Sequence, residues 1–436
     1  MVYSKNNLKT LIFLTLSLCI LFTLPAYSGQ LKVVKPEKVG LSGERLARID
    51  KAMQKHVDDK IIPGAVILIA RHGKIAHLSA VGMRDVDSGK PMETDNIFRL
   101  YSMTKPLTST ALLMLYEEGL FQLDDPAEMY IPAFKDLKVF SGINDNGEMK
   151  LSDQKRKMTL HDLFRHTAGL AYGDTGTLLD KVYREAGIKT GIPLSVFVAR
   201  LGKVPLYYQP GARWVYSYSH DVQAYLVEHF SGMTFDKFLQ TRLFDPLGME
   251  DTSFNITNNK ADRLVTLYSP EKPDQGSISM GMPMPGIKPF YDPPNSDVIN
   301  KINRPAGGTG LLCTAEDYFR FAQMLLNRGR YNGKQILSTK TVELMTQNHI
   351  QPGTDTGTGP LGGGSGYGLG VGIILNNAAN GNLGSQGQYG WGGYATTYVI
   401  IDPKEEMISI LLSQRAPAIL PIWNQFQTLA YQAVIE

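Results

Sequence analysis

Ser102 and Lys105 stand three residues apart in FRLYSMTKPLTSTALLMLYEEG, Phe98 to Gly119, at the mouth of an otherwise apolar run. Residues three apart on a helix share a face, so the serine hydroxyl and the lysine amine would be neighbours. Such a pair can act as nucleophile and base where a buried cleft lets the amine give up its proton. A helix N-terminus adds unpaired amides that favour developing negative charge. The same two residues also suit a helix cap and an ordinary surface charge. Ser-x-x-Lys recurs at Ser152–Lys155, within LSDQKRK, a polar stretch that reads as solvated loop.

The elements around the pair follow from periodicity. Leu107, Ala111, Leu112 and Leu115 anchor the helix behind Ser102. Upstream, Leu46, Ile49, Met53 and Val57 recur at helical spacing after Ser42, a plausible N-cap. PGAVILIARHGKIAHLSAVG then gives two β-branched runs on either side of Arg71-His72-Gly73-Lys74, the pattern of a hairpin. From Ser102 to about Gln347 helical patterns and long loops dominate. Short β-type runs return in GYGLGVGIIL, TTYVIIDP and EMISILLS, and IWNQFQTLAYQAVIE closes as an amphipathic helix. Strands from both ends with helices between them predict one sheet flanked by helices, plus an inserted helical lobe. The cleft is expected between the lobes, and the Met280–Pro294 loop is a candidate cover for it.

Residues 1–28 combine Lys5 and Lys9, an apolar run from Leu11 to about Leu24, and small residues ending at Ser28. This is the pattern of a cleaved export leader, and the run is too short for a confident membrane span. The mature chain is then exported, to the periplasm or the medium, without stable membrane insertion. Removing 28 of 436 residues leaves 408, beyond the ~250–300 at which a single core stops growing. Two of the charges behind the net +3 belong to Lys5 and Lys9, leaving +1 and no basic block. That argues against nucleic acid as a partner. Cys313 has no mature partner and reads as a buried structural thiol.

Taken together, the Ser102 stretch, MTLHDLFRHTAGL (158–170), PGARWVYSYSHDVQAYLVE (210–228), GGTGLLCTAEDYFRFAQMLLN (307–327), GYGLGVGI (366–373) and GQYGWGGYATTYVIIDPKEEM (387–407) resemble the serine β-lactamase and penicillin-binding protein superfamily. The resemblance spans nearly the whole mature chain. It implies an α/β fold with a central antiparallel sheet from the N- and C-terminal segments. The α/β lobe covers about 29–100 and 345–436, and the helical lobe about 101–344. Tyr216-Ser217-Tyr218 looks like the Tyr-x-Asn motif, with Tyr216 as shared base or proton shuttle and Tyr218 where asparagine would stand. Trp391-Gly392-Gly393 holds the place of Lys-Thr-Gly, and the amides of Ser102 and Tyr394 are the implied oxyanion hole. Tryptophan for lysine removes the cation that would hold a β-lactam carboxylate. A literal Lys189-Thr190-Gly191 lies out of order and is read as coincidence. The combination is similar to the family VIII carboxylesterases, which implies a small-molecule ester as substrate.

No Gly-x-Ser-x-Gly occurs. His161 and His166 are five apart, not the four of a helical zinc pair, and read as structural, so no metal or organic cofactor is expected. His220 is a candidate to touch the cleft, and Asp124-Asp125 reads as a turn. A β-lactamase or D-alanyl-D-alanine carboxypeptidase, an acyltransferase and a non-catalytic binding protein stay open beside the esterase. Acyl-chain preference and oligomeric state are not readable from the chain.

Overall fold

A computed structural model describes residues 32–271, 284–291, 297–299, 305–356 and 361–436. The leader expected over residues 1–28 lies outside the described residues. So does most of the Met280–Pro294 loop; within it Ile287–Pro289 pairs with Tyr268–Pro270.

Eight strands form the main sheet. Three come from the N-terminal part, β1 (Gly64–Arg71), β2 (Lys74–Asp85) and β3 (Lys90–Pro91). Five come from the C-terminal part, β4 (Ser365–Tyr367), β5 (Gly372–Ile374), β6 (Tyr389–Gly393), β7 (Thr397–Asp402) and β8 (Met407–Ser413). Their order is β4-β5-β6-β7-β8-β1-β2-β3, antiparallel throughout, so the two chain ends meet where β8 pairs with β1. The expected hairpin forms through His72 and Gly73, both at positive φ (52° and 72°), the backbone a two-residue turn needs to match strand twist.

Side chains alternate across a strand, so β1 feeds two cores. Ala65, Ile67 and Ile69 pack with Leu46, Ile49 and Met53 of α1 (Gly43–Asp58) and with Ile422 and Phe426 of the closing helix α5 (Leu420–Tyr431). Ser42 caps α1 by accepting the Arg45 amide. Val66, Leu68 and Ala70 face the larger core on the other side. There α4 (Ala315–Leu326) packs directly on β8 and β1, although it falls within the stretch assigned to the helical insertion. Also on this side are α2 (Thr104–Glu117) and α3 (Ser219–Ser231), which pack together. From Thr104 to Leu115 every residue of α2 is buried, so the helix is an internal rod rather than a surface stripe. Among the described residues no helix is long and apolar enough to cross a membrane.

Candidate active site

Ser102 is not on α2 itself. It sits in a single 3₁₀ turn, Tyr101–Met103, that leads into the helix, and Tyr101 is held at φ 49°. A bulky residue in the left-handed region is strained and persists only where its surroundings enforce it. They do so here from two sides. The Leu100 amide donates to Leu311 O at 2.8 Å, and Phe98 pairs with Cys313. On the other side Thr397 Oγ1 donates to Leu100 O at 3.1 Å. A Cβ on Gly393 would run into that same carbonyl, so only glycine lets the end of β6 come this close to the nucleophile turn. Tyr394 follows in the turn after β6, its ring edge-on to Tyr101 at 5.5 Å.

The turn leaves Ser102 partly exposed, while Lys105, one turn further on, is fully buried. Lys105 Nζ donates to Ser102 Oγ at 3.0 Å and to Gly308 O at 2.8 Å. Thr108 Oγ1 donates to Gly307 O at 2.7 Å, so α2 grips the Gly307–Gly308 turn by two consecutive carbonyls. The Tyr216 ring lies over the amine with its centroid 4.5 Å away, and the Tyr172 ring lies at 5.6 Å. Tyr216 touches Lys105 through its face, and its hydroxyl accepts the indole N–H of Trp391 at 3.1 Å. His166, Tyr172, Trp214 and Trp391 all pack around the Tyr216 ring, fixing its position. An ammonium over the ring and a donor on the oxygen both favour the phenolate.

The remaining expected site residues sort by strand face. Trp391 and Gly393 point toward this group, whereas Gly392, between them, faces the opposite side of the sheet, where a Cβ would meet Trp423 of α5. Tyr218 is packed in the larger core, edge-on to Tyr172 at 4.5 Å and to Phe197 at 5.4 Å, and reaches the pair only by way of Tyr172. His220 is fully buried with neither ring nitrogen hydrogen-bonded and its ring against His166. Burial pushes the proton affinity of both histidines down, and the Lys105 charge adds to it. Lys189-Thr190-Gly191 lies in a loop between helices Leu178–Glu185 and Leu194–Leu201, away from any strand. Cys313 is buried, its sulfur 3.0 Å from Thr252 Oγ1, and burial raises its thiol. No cluster of three or more metal-ligating side chains occurs among the described residues.

The sequence reading assigned no role to Tyr172, Gly308 and Asp221. Gly308 lay within the GGTG stretch and Asp221 five residues past Tyr216, but nothing in their spacing says that they meet Lys105.

A buried amine on a reachable serine, with a clamped tyrosine beside it, is the equipment of a serine acyl-transfer enzyme. The Beta-lactamase family profile matches residues 49–431, and the chain belongs to that family. It is 29% identical over 385 residues to the esterase EstB of Burkholderia gladioli, covering 85% of this chain and 90% of EstB. It is 26% identical over 400 residues to the monacolin J acid methylbutanoyltransferase of Aspergillus terreus, covering 86% and 91%. The solved structure of EstCE1, described as a hydrolase with promiscuous acyltransferase activity, shares the fold with a TM-score of 0.72 at 24% identity, covering 89% of this chain and 99% of that one.

Proposed function

We propose that the protein hydrolyses small carboxylic esters through an acyl-enzyme on Ser102, as a family VIII-like carboxylesterase. The observation that carries this reading is the 3.0 Å hydrogen bond between a fully buried Lys105 amine and a partly exposed Ser102 hydroxyl. Ser102 Oγ attacks the ester carbonyl while its proton passes to the Lys105–Tyr216 pair. The amides of Ser102 and Tyr394 hold the oxyanion, and the alcohol leaves with the proton. Water then attacks the acyl carbon, Tyr216 takes its proton, and Ser102 is released. Trp391, standing where a lysine would bind a β-lactam carboxylate, favours esters over β-lactams. Export is part of the reading and is supported by the charged, apolar and small-residue pattern of residues 1–28.

Transfer of the acyl group to an alcohol instead of water has equal support, from the methylbutanoyltransferase relative at similar coverage. The two share every step up to the acyl-enzyme. Hydrolysis of p-nitrophenyl butyrate by the wild type and by Ser102→Ala, with nitrocefin in parallel and an added acceptor alcohol, separates them. Ester turnover abolished by the substitution, with little on nitrocefin, is the expected result. A new ester with the added alcohol would favour the transferase. Turnover that survives Ser102→Ala would place the site elsewhere.

A further inference from the structure

We propose that Asp221 is a positioning residue of this site: through Gly308 it holds Lys105 as an ammonium against Ser102 and so leaves the base's part to Tyr216. The inference rests on the acyl-enzyme reading above and adds a division of labour within it.

Lys105 is wholly buried, yet among the described residues it forms no ion pair; its hydrogen bonds go to a hydroxyl and a backbone carbonyl. A buried ammonium is too costly to stand without an anion in reach. Asp221, in the first turn of α3, is such an anion, itself buried to 1% exposure. Its Oδ1 accepts the Gly308 N–H at 3.2 Å, and the Gly308 carbonyl accepts Lys105 Nζ at 2.8 Å. One residue therefore links carboxylate to amine. Asp221 Oδ2 and the Tyr172 hydroxyl are both buried without a hydrogen-bond partner, and the glycine lies between them. A Cβ on Gly308 would stand 2.8 Å from Oδ2 and 3.2 Å from the phenol oxygen, so any larger residue would displace the carboxylate or the turn.

Electrostatics point the same way. Burial pushes the Asp221 carboxyl up to about 6, and the Lys105 charge pulls it back down. The other ionisable groups facing Asp221 are phenols, Tyr172 from the segment after Leu170 and Tyr218 from the entry to α3, and burial raises both. His166 and His220, which face the same lysine, are held neutral by burial. Asp221 is thus the anion of this group at neutral pH. With it ionised, Lys105 keeps its proton, and the ammonium over the Tyr216 ring joins Trp391 in favouring the phenolate. In acylation the Ser102 Oγ–H proton then moves to the Tyr216 oxygen as the Oγ–carbon bond forms. It moves on to the departing alkoxide oxygen as the ester C–O bond breaks.

Asp221→Asn keeps an oxygen for the Gly308 amide and removes the charge. The test is the pH profile of kcat/KM on p-nitrophenyl butyrate beside a thermal melt, with KM followed separately. The expected outcome is a near-normal melt, KM within about twofold, and an acid limb moved up by about one pH unit, which is about tenfold less activity on that limb. An unchanged profile, or an equal loss at every pH, would overturn the proposal. A second arm needs neither the variant nor turnover: ¹³C-lysine NMR of the wild type, with Lys105 assigned by difference against Lys105→Ala. An ammonium signature at neutral pH supports the proposal and an amine signature overturns it. A wild type without Ser102-dependent turnover would bring down the acyl-enzyme reading, while the NMR arm would still decide the state of Lys105.

Discussion

At Ser102 the lysine three residues on is fully buried and its amine reaches the serine hydroxyl at 3.0 Å. At Ser152 the serine closes a short strand, Met149–Ser152, and Lys155 lies on the exposed loop beyond it. Gln209 serves both ends of that second pair, its side chain donating to Ser152 Oγ at 3.3 Å and accepting the Lys155 amide at 2.8 Å. Ser152 and Lys155 also line an open depression of about 540 Å³ with Phe140, Tyr208 and Arg213, which contains none of the Ser102 group. Spacing of three brings side chains together on a helical turn but not where a strand runs into a loop. Burial then separates a candidate base from a solvated charge.

That contrast is most sharply broken or upheld by removing the lysines. Lys105→Ala is expected to lower kcat by about 10²–10⁴-fold, the usual range for losing a general acid–base group, while folded protein is still recovered. Ser152→Ala and Lys155→Ala should leave ester turnover within about twofold of wild type, as surface changes away from a site do. Steady-state kinetics on one ester for all three variants decides the matter. A large loss at Ser152 would mean that the open depression takes part in the chemistry.

A smaller effect is expected at Trp391, where spacing gave no guidance. Trp391→Phe keeps a ring against Tyr216 but removes the indole N–H that donates to its oxygen at 3.1 Å. A hydrogen bond to a charged acceptor is worth about 1.5–3 kcal/mol, so kcat/KM should fall about tenfold or more. The acid limb should also move to higher pH, because the phenolate loses a donor. A variant with wild-type rates would leave Tyr216 to Lys105 alone.

The same residue marks the boundary of what the chain discloses. The cap at Ser42, the His72-Gly73 turn and the alternation in β1 are local patterns with periods of 3.6 and 2, and each is legible as such. Ser102, Lys105 and Tyr216 were legible as residue types in a recognisable order. The Trp391–Tyr216 bond joins positions 175 residues apart, and the link from Asp221 through Gly308 to Lys105 depends on a turn packed between two helices. No periodicity encodes either. Gly392 illustrates the reverse case. A period of two already places it opposite Trp391 and Gly393, yet taking the motif as a block of three assigned all of them to one face.

The smallest expected effect concerns stability, at the His161–His349 contact. His349 Nε2 lies 2.8 Å from Leu344 O, which a nitrogen can meet only as donor, so in the neutral ring Nδ1 accepts. His161 Nε2 then supplies the single proton of the 2.9 Å bond between the rings. Burial, reinforced by the Arg165 charge, brings His161 down to about 4, and burial also lowers His349. The unfolded chain, titrating near the ordinary 6.5, therefore binds more protons than the folded one between about pH 6.5 and pH 4. Stability from this contact is complete above that window and is lost as the pH falls through it. Asp162, held down to about 2 by Arg156 against the effect of its burial, acts in a more acidic range and does not blur the window. Melting temperature against pH, for wild type and His161→Gln, tests this: glutamine can still donate to His349 but does not titrate. A shallower slope in the variant is expected. An unchanged slope would move the acid sensitivity to His166 and His220, beside the catalytic lysine, and would tie stability to the Ser102 region after all.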